Sequence, residues 1–237
     1  MFIKDLNLQF QHRFSHLDLR AEEVRLFQNP FEAQMNYSCQ HDLWLGVVSI
    51  DPRPLVTLNF GLQVMCDTMS DGGGWTIFQR RVSGSVHFYR NWTEYKNGFG
   101  DFTSGNFYLG NENIYLFTSK NKTELRVDLI FNDIHYFAKY SSFNISSEAD
   151  GYRLFVGGYT GNATEALIYH KAMKFTTFDR DNDYSTDNCA QYWHGAWWYD
   201  SCYWSNLNGV WGATNLTGIV WDQKYKSSFS EMKFRSV

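Results

Sequence analysis

The segment Asp71-Gly72-Gly73-Gly74-Trp75-Thr76-Ile77-Phe78-Gln79-Arg80-Arg81 opens with a glycine-rich turn signal and sets the pattern for the chain. Similar turn signals at Asp150-Gly151 and Asn208-Gly209 punctuate short strand-like runs, such as residues 125–130 and 152–156. The chain shows neither the strand–helix alternation of a Rossmann domain nor an internal repeat. This pattern predicts an α+β domain with an antiparallel sheet and much irregular chain.

Length and charge limit the possible classes of protein. The 237 residues fit one large domain with a short appended segment. The net charge of −4 is spread over well-mixed acidic and basic residues, which argues against nucleic acid as a partner. No run of about eighteen apolar residues occurs, so no membrane span is predicted. No signal peptide is visible at Met1, so a secreted protein would be a mature fragment or would lack its leader.

Four cysteines allow three disulfide pairings. A zinc ribbon or finger does not fit, because the chain has no C-x-x-C motif. Pairing of neighbours in the sequence gives Cys39–Cys66 and Cys189–Cys202. The alternative is four buried free thiols in a cytosolic protein.

The chain contains six N-x-S/T sequons, which favour an oxidising, extracellular compartment. Their asparagines are Asn36, Asn91, Asn121, Asn144, Asn162 and Asn215. We therefore expect a secreted glycoprotein.

Residues 1–34 form a predicted N-terminal helical segment that precedes a domain over 35–237. Apolar residues recur at sevens, at Ile3, Phe10, Leu17 and Val24. This spacing predicts a short coiled coil that makes a homo-oligomer. Arg13 and Arg20 occupy two positions of the apolar seam, so a solitary amphipathic helix is the alternative.

An acidic loop spans residues 178–189 and carries carboxylates at alternating positions. Such carboxylates repel one another unless a cation lies between them, and Ca²⁺ prefers oxygen ligands of this kind. The loop is not an EF-hand, because counting from Asp179 the sixth residue is Tyr184 rather than glycine, and the twelfth is Ala190 rather than glutamate. The alternative is a solvated acidic loop.

Six of the nine tryptophans follow this loop. They are Trp193, Trp197, Trp198, Trp204, Trp211 and Trp221. Aromatic faces beside a cation suit the recognition of sugars or acetyl groups. Each tryptophan taken singly is more typical of a core, but the surplus in one irregular stretch predicts a partly exposed set.

Several motifs in a fixed order resemble fibrinogen-related (fibrinogen C-terminal-like) domains. They lie at residues 72–81, 98–101, 106–112, 173–175, 181–183, 188–190, 195–199 and 205–209. The resemblance covers about residues 35–237. The aromatic richness and the sequons are more narrowly similar to invertebrate lectins of the tachylectin-like or snail fibrinogen-related type.

The resemblance implies a twisted antiparallel sheet, short helices and a largely irregular calcium-binding subdomain, preceded here by a short N-terminal helix. The disulfides of the family match Cys39–Cys66 and Cys189–Cys202. Its Ca²⁺ site matches the side chains of Asp181 and Asp183 together with the backbone carbonyls of Ser185 and Asp187.

The resemblance also implies a ligand pocket. Relatives have a cis peptide at the position of Ser201–Cys202, and in acetyl-binding members the N–H groups matching Cys202 and Tyr203 meet an acetyl carbonyl. Two positions depart from that pattern, since Trp193 replaces a tyrosine and Tyr203 replaces a histidine. Asn215-Leu216 lies near a Tyr-Ala pair of relatives, and a glycan on Asn215 could obstruct the pocket.

No motif of a hydrolase, kinase, metalloprotease or dinucleotide-binding enzyme occurs, and His194 fits a structural role, so we expect no catalysis. The predicted function is that of a lectin-like pattern-recognition module of innate immunity. It would bind acetylated or other carbohydrate ligands on microbial surfaces. The alternative is a protein-binding ligand or adhesion module of the same family.

Overall fold

The computed structural model describes residue 39 and residues 53–58, 61–223 and 225–237. These residues belong to one compact unit, Ser38–Val237. The predicted N-terminal helix, its coiled coil, the boundary at residue 34 and the Asn36 sequon lie outside the described residues.

The described part of the chain is built on one nine-stranded antiparallel sheet. The strands are β1 Leu55–Thr57, β2 Gln63–Asp67, β3 Trp75–Arg81, β4 Phe99–Asp101, β5 Asn106–Tyr108, β6 Thr123–Phe131, β7 Ile134–Ile145, β8 Leu154–Gly161 and β12 Phe229–Ser236. They follow the order β1-β2-β3-β12-β6-β7-β8, while β5 also pairs with β3 and β4 pairs with β5. A smaller sheet, of order β11-β10-β9, joins Ser205–Asn206 (β9), Val220–Trp221 (β10) and Tyr225–Lys226 (β11).

The helices are short. They are α1 Trp92–Asn97, α2 Asn111–Thr118 and α3 Cys189–Trp193, with 3-10 turns at Ser70–Gly72, Glu148–Asp150 and Leu167–His170. Between β8 and β9 the described chain runs from 162 to 204 with only one 3-10 turn and α3 as regular structure. The α+β prediction with an antiparallel sheet and a long irregular region is therefore confirmed.

The three glycines that open the quoted segment are required by their backbone conformation. Gly72, Gly73 and Gly74 have φ values of +85°, +76° and +77°, a region that residues with a Cβ rarely adopt. At Gly73 a Cβ would also lie 2.5 Å from the carbonyl oxygen of Thr68. The tight turn places Trp75 at the start of the central strand β3, where it is fully buried.

Aromatic rings form the core between the sheet and the irregular region. Phe78 of β3 stacks on Phe143 of β7, with ring centroids 5.7 Å apart. The contacts continue outward from Tyr108 to Tyr95 at 4.9 Å and from Tyr95 to Phe175 at 5.1 Å. They end in the irregular region with Phe175–Trp198 at 5.2 Å and Trp197–Trp198 at 5.2 Å. The irregular region is thus packed on the sheet by aromatic contacts rather than by regular secondary structure.

Two polar residues of β3 bind the backbone of residues 207–209. Gln79 Nε2 donates to the carbonyl oxygen of Leu207 at 3.1 Å and to Asn208 Oδ1 at 3.2 Å. Arg81 Nη1 donates to the carbonyl oxygens of Leu207 at 3.2 Å and Gly209 at 3.0 Å. Both side chains are buried, so these bonds replace part of the hydration that the two groups lose on folding, while Arg81 Nε stays without a partner among the described residues.

Replacement of Gly73 by alanine should cost roughly 2 kcal/mol or more of unfolding free energy, because it combines a positive φ with a backbone clash. Gly72→Ala is the matched control. It has a similar φ, but its Cβ would lie 3.9 Å from the nearest atom, Arg235 Nη1. We expect it to cost about 1 kcal/mol. Urea denaturation measures both values, and equal losses would contradict the clash at Gly73.

Candidate calcium and ligand site

The structure contains both disulfides that the resemblance implies. Cys39 and Cys66 are joined with an S–S distance of 2.09 Å, and Cys189 and Cys202 with one of 2.05 Å. The second bridge ties the first residue of α3 to the loop that precedes Tyr203. The acidic loop and the predicted ligand loop, residues 201–205, are therefore covalently linked.

Backbone N–H groups order the acidic loop by donating to its own side chains. Asp183 Oδ1 accepts from the N–H of Ser185 at 3.0 Å, and Asp183 Oδ2 accepts from the N–H of Cys189 at 3.0 Å. Asp181 Oδ1 accepts from the N–H of Asp183 at 3.2 Å. Asp179 faces elsewhere, because its Oδ1 accepts from the N–H of Trp92 at the start of α1. Asp181 and Asp183 are thus the two neighbouring carboxylates of the loop.

The four residues predicted to hold Ca²⁺ present oxygen atoms without cationic partners. No lysine, arginine or histidine of the described residues pairs with Asp181, Asp183 or Asp187. The carbonyl oxygens of Ser185 and Asp187 accept no hydrogen bond from a described residue. Two carboxylates and two carbonyls are hard oxygen donors, which suit Ca²⁺. The donor set therefore fits this ion.

The described residues hold no cluster of three or more His, Cys, Asp or Glu side chains that could bind a metal ion. A cation in the acidic loop would therefore need backbone carbonyls or water beside Asp181 and Asp183. Partial burial raises the pKa of Asp183 to about 6, and the nearby Asp181 carboxylate raises it further. The hydrogen bonds from the N–H groups of Cys189 and Ser185 act in the opposite direction and lower this pKa.

The ligand loop follows the second cysteine. The Ser201–Cys202 peptide is cis, as the resemblance implies. The backbone N–H groups of Cys202 and Tyr203 donate to no described residue. The rings of Trp193 and Tyr203 meet edge to face with centroids 5.1 Å apart. Trp193 Nε1 is buried and has no hydrogen-bond partner. Three N–H donors on neighbouring residues thus lack acceptors among the described residues.

Tyr203 connects this loop to the loop around Asn215. Its hydroxyl donates to the carbonyl oxygen of Leu216, and its ring is buried. The Leu216 side chain is exposed. Asn215 is exposed, and its Oδ1 accepts from the N–H and the hydroxyl of Thr217. The structure thus brings Trp193, Tyr203 and Leu216 to one place, with Asn215 directly beside them.

The sequence did not point to His170, a buried residue whose ring forms hydrogen bonds with the backbone of the ligand loop. Its Nδ1 bonds to the carbonyl oxygen of Trp198 at 2.7 Å, so this nitrogen carries the proton. Its Nε2 accepts from the N–H groups of Trp204 at 3.2 Å and Ser205 at 3.0 Å. Burial lowers the pKa of His170 to about 4. The only sequence signal was a histidine at the end of the apolar run 166–169.

The tryptophans divide as the sequence suggested, into buried and accessible members. Trp197, Trp198 and Trp221 are fully buried, whereas Trp204 is 42% exposed. The exposed Trp204 ring stacks on Tyr169 at 5.4 Å. His194 is exposed at the end of α3.

Five of the six sequons fall on described residues. Asn162 and Asn215 are exposed, and Asn91, Asn121 and Asn144 are partly buried. Their glycosylation stays a prediction. Across the described ranges, no helix is both long and apolar enough to cross a membrane.

Comparison with known proteins places this geometry in a family. The sequence model for the fibrinogen beta and gamma chains, C-terminal globular domain, matches residues 43–237. The fibrinogen-like globe domain of human ANGPTL2 has a TM-score of 0.78 and 39% identity, with 84% of this chain and 98% of that chain covered. Lamprey fibrin D-dimer, in complex with the peptide Gly-His-Arg-Pro-amide, has a TM-score of 0.73 and 28% identity, with 98% and 83% covered.

Among curated proteins, the chain is similar to vertebrate fibrinogen C domain-containing proteins. The human protein 1 is 45% identical over 206 residues, and the Xenopus laevis protein 1-A is 44% identical over 204 residues. These alignments cover 81% and 80% of this chain but 44% of each relative, so the chain spans less than half of their length. The chain belongs to the family of fibrinogen C-terminal globular domains. Because these relatives are vertebrate proteins, the narrower likeness to invertebrate lectins stays a prediction.

The buried His170 should make stability depend on pH. Its pKa is about 4 in the folded protein against an ordinary value of 6.5. The unfolded chain therefore takes up this proton first as the pH falls. The stabilisation is complete above pH 6.5 and is lost between 6.5 and 4, which amounts to about 3 kcal/mol.

Chemical denaturation of the calcium-free protein at a series of pH values measures this loss, with His170→Gln as the control. Asp183 acts in the opposite direction over the same range, because its pKa is raised. Subtraction of the variant's curve removes that contribution. Parallel curves for the two proteins would contradict the proposed role of His170.

Proposed function

We propose that this chain is a secreted, non-enzymatic recognition module that binds acetylated carbohydrates in a calcium-dependent way. The observation that carries the proposal is the set of three N–H donors without described acceptors: Trp193 Nε1 and the backbone groups of Cys202 and Tyr203. Trp193 Nε1 is buried, and a buried donor without a partner is costly, so this set favours a ligand that brings an acceptor. An acetyl carbonyl oxygen is such an acceptor.

The aromatic rings beside these donors suit the rest of an acetyl group. Trp193 and Tyr203 meet edge to face, so together they offer an apolar corner for a methyl group. The hydroxyl of Tyr203 is already bonded to the Leu216 carbonyl, so this residue contributes its ring and its backbone N–H. The departures from the acetyl-binding pattern of relatives, at Trp193 and Tyr203, therefore retain an apolar wall and add an indole N–H.

Calcium would act on this site through the loop that precedes it. Asp181 and Asp183, with the carbonyls of Ser185 and Asp187, would hold the ion. The acidic loop reaches the ligand loop through Cys189–Cys202 and through the bond from the N–H of Tyr184 to the Asp200 carbonyl at 3.0 Å. A bound ion would neutralise the two carboxylates and so restrain both loops together.

Several such modules in one assembly would gain strength from multiple weak sites, as expected for pattern recognition on microbial surfaces in innate immunity. This extension rests on the predicted homo-oligomer.

A protein partner is the second candidate, and a specific observation favours it. Exposed apolar side chains surround the ligand loop, with Trp204 at 42%, Ile168 at 45% and Tyr192 at 65% exposure. Exposed groups of this kind occur at protein interfaces. The lamprey fibrin relative was solved with a peptide ligand, which is the same class of partner.

Calcium should stabilise this protein through the acidic loop. At a calcium concentration of one hundred times Kd, mass action predicts about 2.7 kcal/mol of added stability. Asp183→Asn removes one charged ligand and should abolish most of that gain. Asp187→Asn is the matched control, because only the backbone carbonyl of Asp187 is assigned to the ion. Thermal unfolding with calcium and with EDTA measures all three proteins, and an equal loss in both variants would contradict the assignment.

The acetyl site is tested by retention on N-acetylglucosamine beads in calcium and in EDTA. We expect calcium-dependent retention that free acetylated sugar releases. Trp193→Phe removes the indole N–H and should weaken binding by roughly tenfold, because one donor to the carbonyl is lost. Trp204→Phe alters a neighbouring exposed ring and should leave retention unchanged. Absence of retention in both buffers would reject the acetyl proposal and direct the search to protein partners.

A further inference from the structure

We propose that an open pocket on the main sheet binds a small oxyanion attached to a ring, such as a sulfate or phosphate monoester. The pocket has a volume of about 430 Å³ and is lined by residues of β3, β6, β7 and β12 together with Arg53 and Ser70. Its cationic wall consists of Arg53, Arg80 and Arg126. None of its lining residues belongs to the calcium or acetyl site, so this inference is independent of the proposed function.

Strand register gathers the charges on this part of the sheet. Lys233 of β12 lies opposite Arg126 of β6, and Arg126 lies opposite Lys139 of β7. Two residues further along, Glu231 lies opposite Asp128. Like charges directly opposite one another are unfavourable, so each row of like charges is stabilised by the opposite charges of the neighbouring row. The register therefore places a row of three cations beside a row in which Arg80, Glu231 and Asp128 lie next to one another.

Two of the carboxylates, Asp67 and Glu231, lie deeper than the arginines, whereas Asp128 keeps 19% exposure and lines the pocket. Asp67, Glu231 and Lys233 are fully buried, and Lys233 Nζ lies 2.5 Å from Asp67 Oδ2 and 2.9 Å from Glu231 Oε1. The side chains of Arg80 and Arg126 retain 19% and 15% exposure. The pocket is thus lined by guanidinium groups above an ion-paired floor.

The described lining of the pocket is mainly cationic. Three of its residues are arginines, Arg53, Arg80 and Arg126, and one described lining residue, Asp128, is a carboxylate. An anion in the pocket would therefore meet guanidinium groups in a site that is partly shielded from solvent.

Arg80 and Arg126 each keep an N–H donor for such an anion. Arg80 donates from Nε to Glu231 and from Nη1 to the Gly105 carbonyl. Arg126 donates from Nε and from Nη2 to Asp128. The Nη2 of Arg80 and the Nη1 of Arg126 donate to no described residue. A sulfate or phosphate group matches guanidinium N–H geometry well.

Aromatic rings order the guanidinium groups and supply the apolar part of the pocket. Arg80 lies over Phe229 at 5.6 Å, and Arg126 lies over Phe137 at 4.4 Å. These contacts restrict the arginine side chains before a ligand arrives, which reduces the entropy cost of binding. Phe137, Phe229 and Ile130 line the same pocket and offer surface to a ring. The volume is that of a small organic ligand rather than of a bare ion.

Isothermal titration calorimetry of the full chain, in calcium-containing buffer, tests the site with four probes. Phenyl sulfate and phenyl phosphate carry both the oxyanion and the ring, inorganic sulfate carries the oxyanion alone, and phenol carries the uncharged ring. We expect a phenyl ester to bind more tightly than inorganic sulfate, and phenol not to bind. The tighter of the two esters identifies the oxyanion. Added NaCl should weaken binding, because the attraction is electrostatic.

Two variants locate the binding. Arg126→Gln removes one pocket cation while Asp128 keeps its partner Lys233, and it should weaken phenyl ester binding about tenfold. Arg126→Lys keeps the charge without the planar fork and should weaken it less. Arg90→Gln is the matched control, since Arg90 also pairs with a carboxylate, Glu94 at 2.6 Å, and lies over a phenylalanine ring at 5.3 Å.

Circular dichroism confirms that each variant is folded before titration. Arg126→Gln should retain wild-type behaviour on N-acetylglucosamine beads, which separates the two sites. The proposal is overturned if neither phenyl ester binds, if phenol binds equally well, or if Arg90→Gln weakens binding as much as Arg126→Gln.

Discussion

The hydrogen bonds from Gln79 and Arg81 to residues 207–209 are the constraint on which the rest of the structure depends. A central strand has buried two polar side chains, and residues 207–209 supply their carbonyl acceptors. Asn208 in turn positions the chain around Ala196, because its Nδ2 donates to the Ala196 carbonyl at 3.0 Å. The sheet thereby positions an irregular region whose own backbone pairing is too sparse to define its place.

A disulfide and hydrogen bonds with two side chains then fix the ligand loop. A disulfide holds Cys202, the imidazole of His170 holds the N–H groups of Trp204 and Ser205, and Gln223 Nε2 donates to the Tyr203 carbonyl at 2.8 Å. Each acts on a different atom of one short segment. A loop restrained in this way loses little further freedom when a ligand arrives, so more of the contact energy remains as affinity.

Features carried by local sequence were predictable, and features assembled across the chain were not. The turn at residues 71–74, the acidic loop and, through resemblance, both disulfides follow from neighbouring residues. His170 gave little signal, because its partners lie 28 to 35 residues away. Arg80 and Glu231 are 151 residues apart and meet only through the strand order, so the charged pocket had no local signature. Likewise, the burial of Trp193 Nε1 depends on packing that no spacing rule reports.

The Asn215 sequon has a consequence for preparations of the protein. Its side chain is exposed beside Leu216, and the Leu216 carbonyl accepts a hydrogen bond from the Tyr203 hydroxyl. If only a fraction of molecules carries a glycan there, a sample contains two populations that differ at the rim of the ligand site. Titrations would then return a stoichiometry below one site per chain. The host used for expression, rather than the amino-acid sequence alone, would set the active fraction.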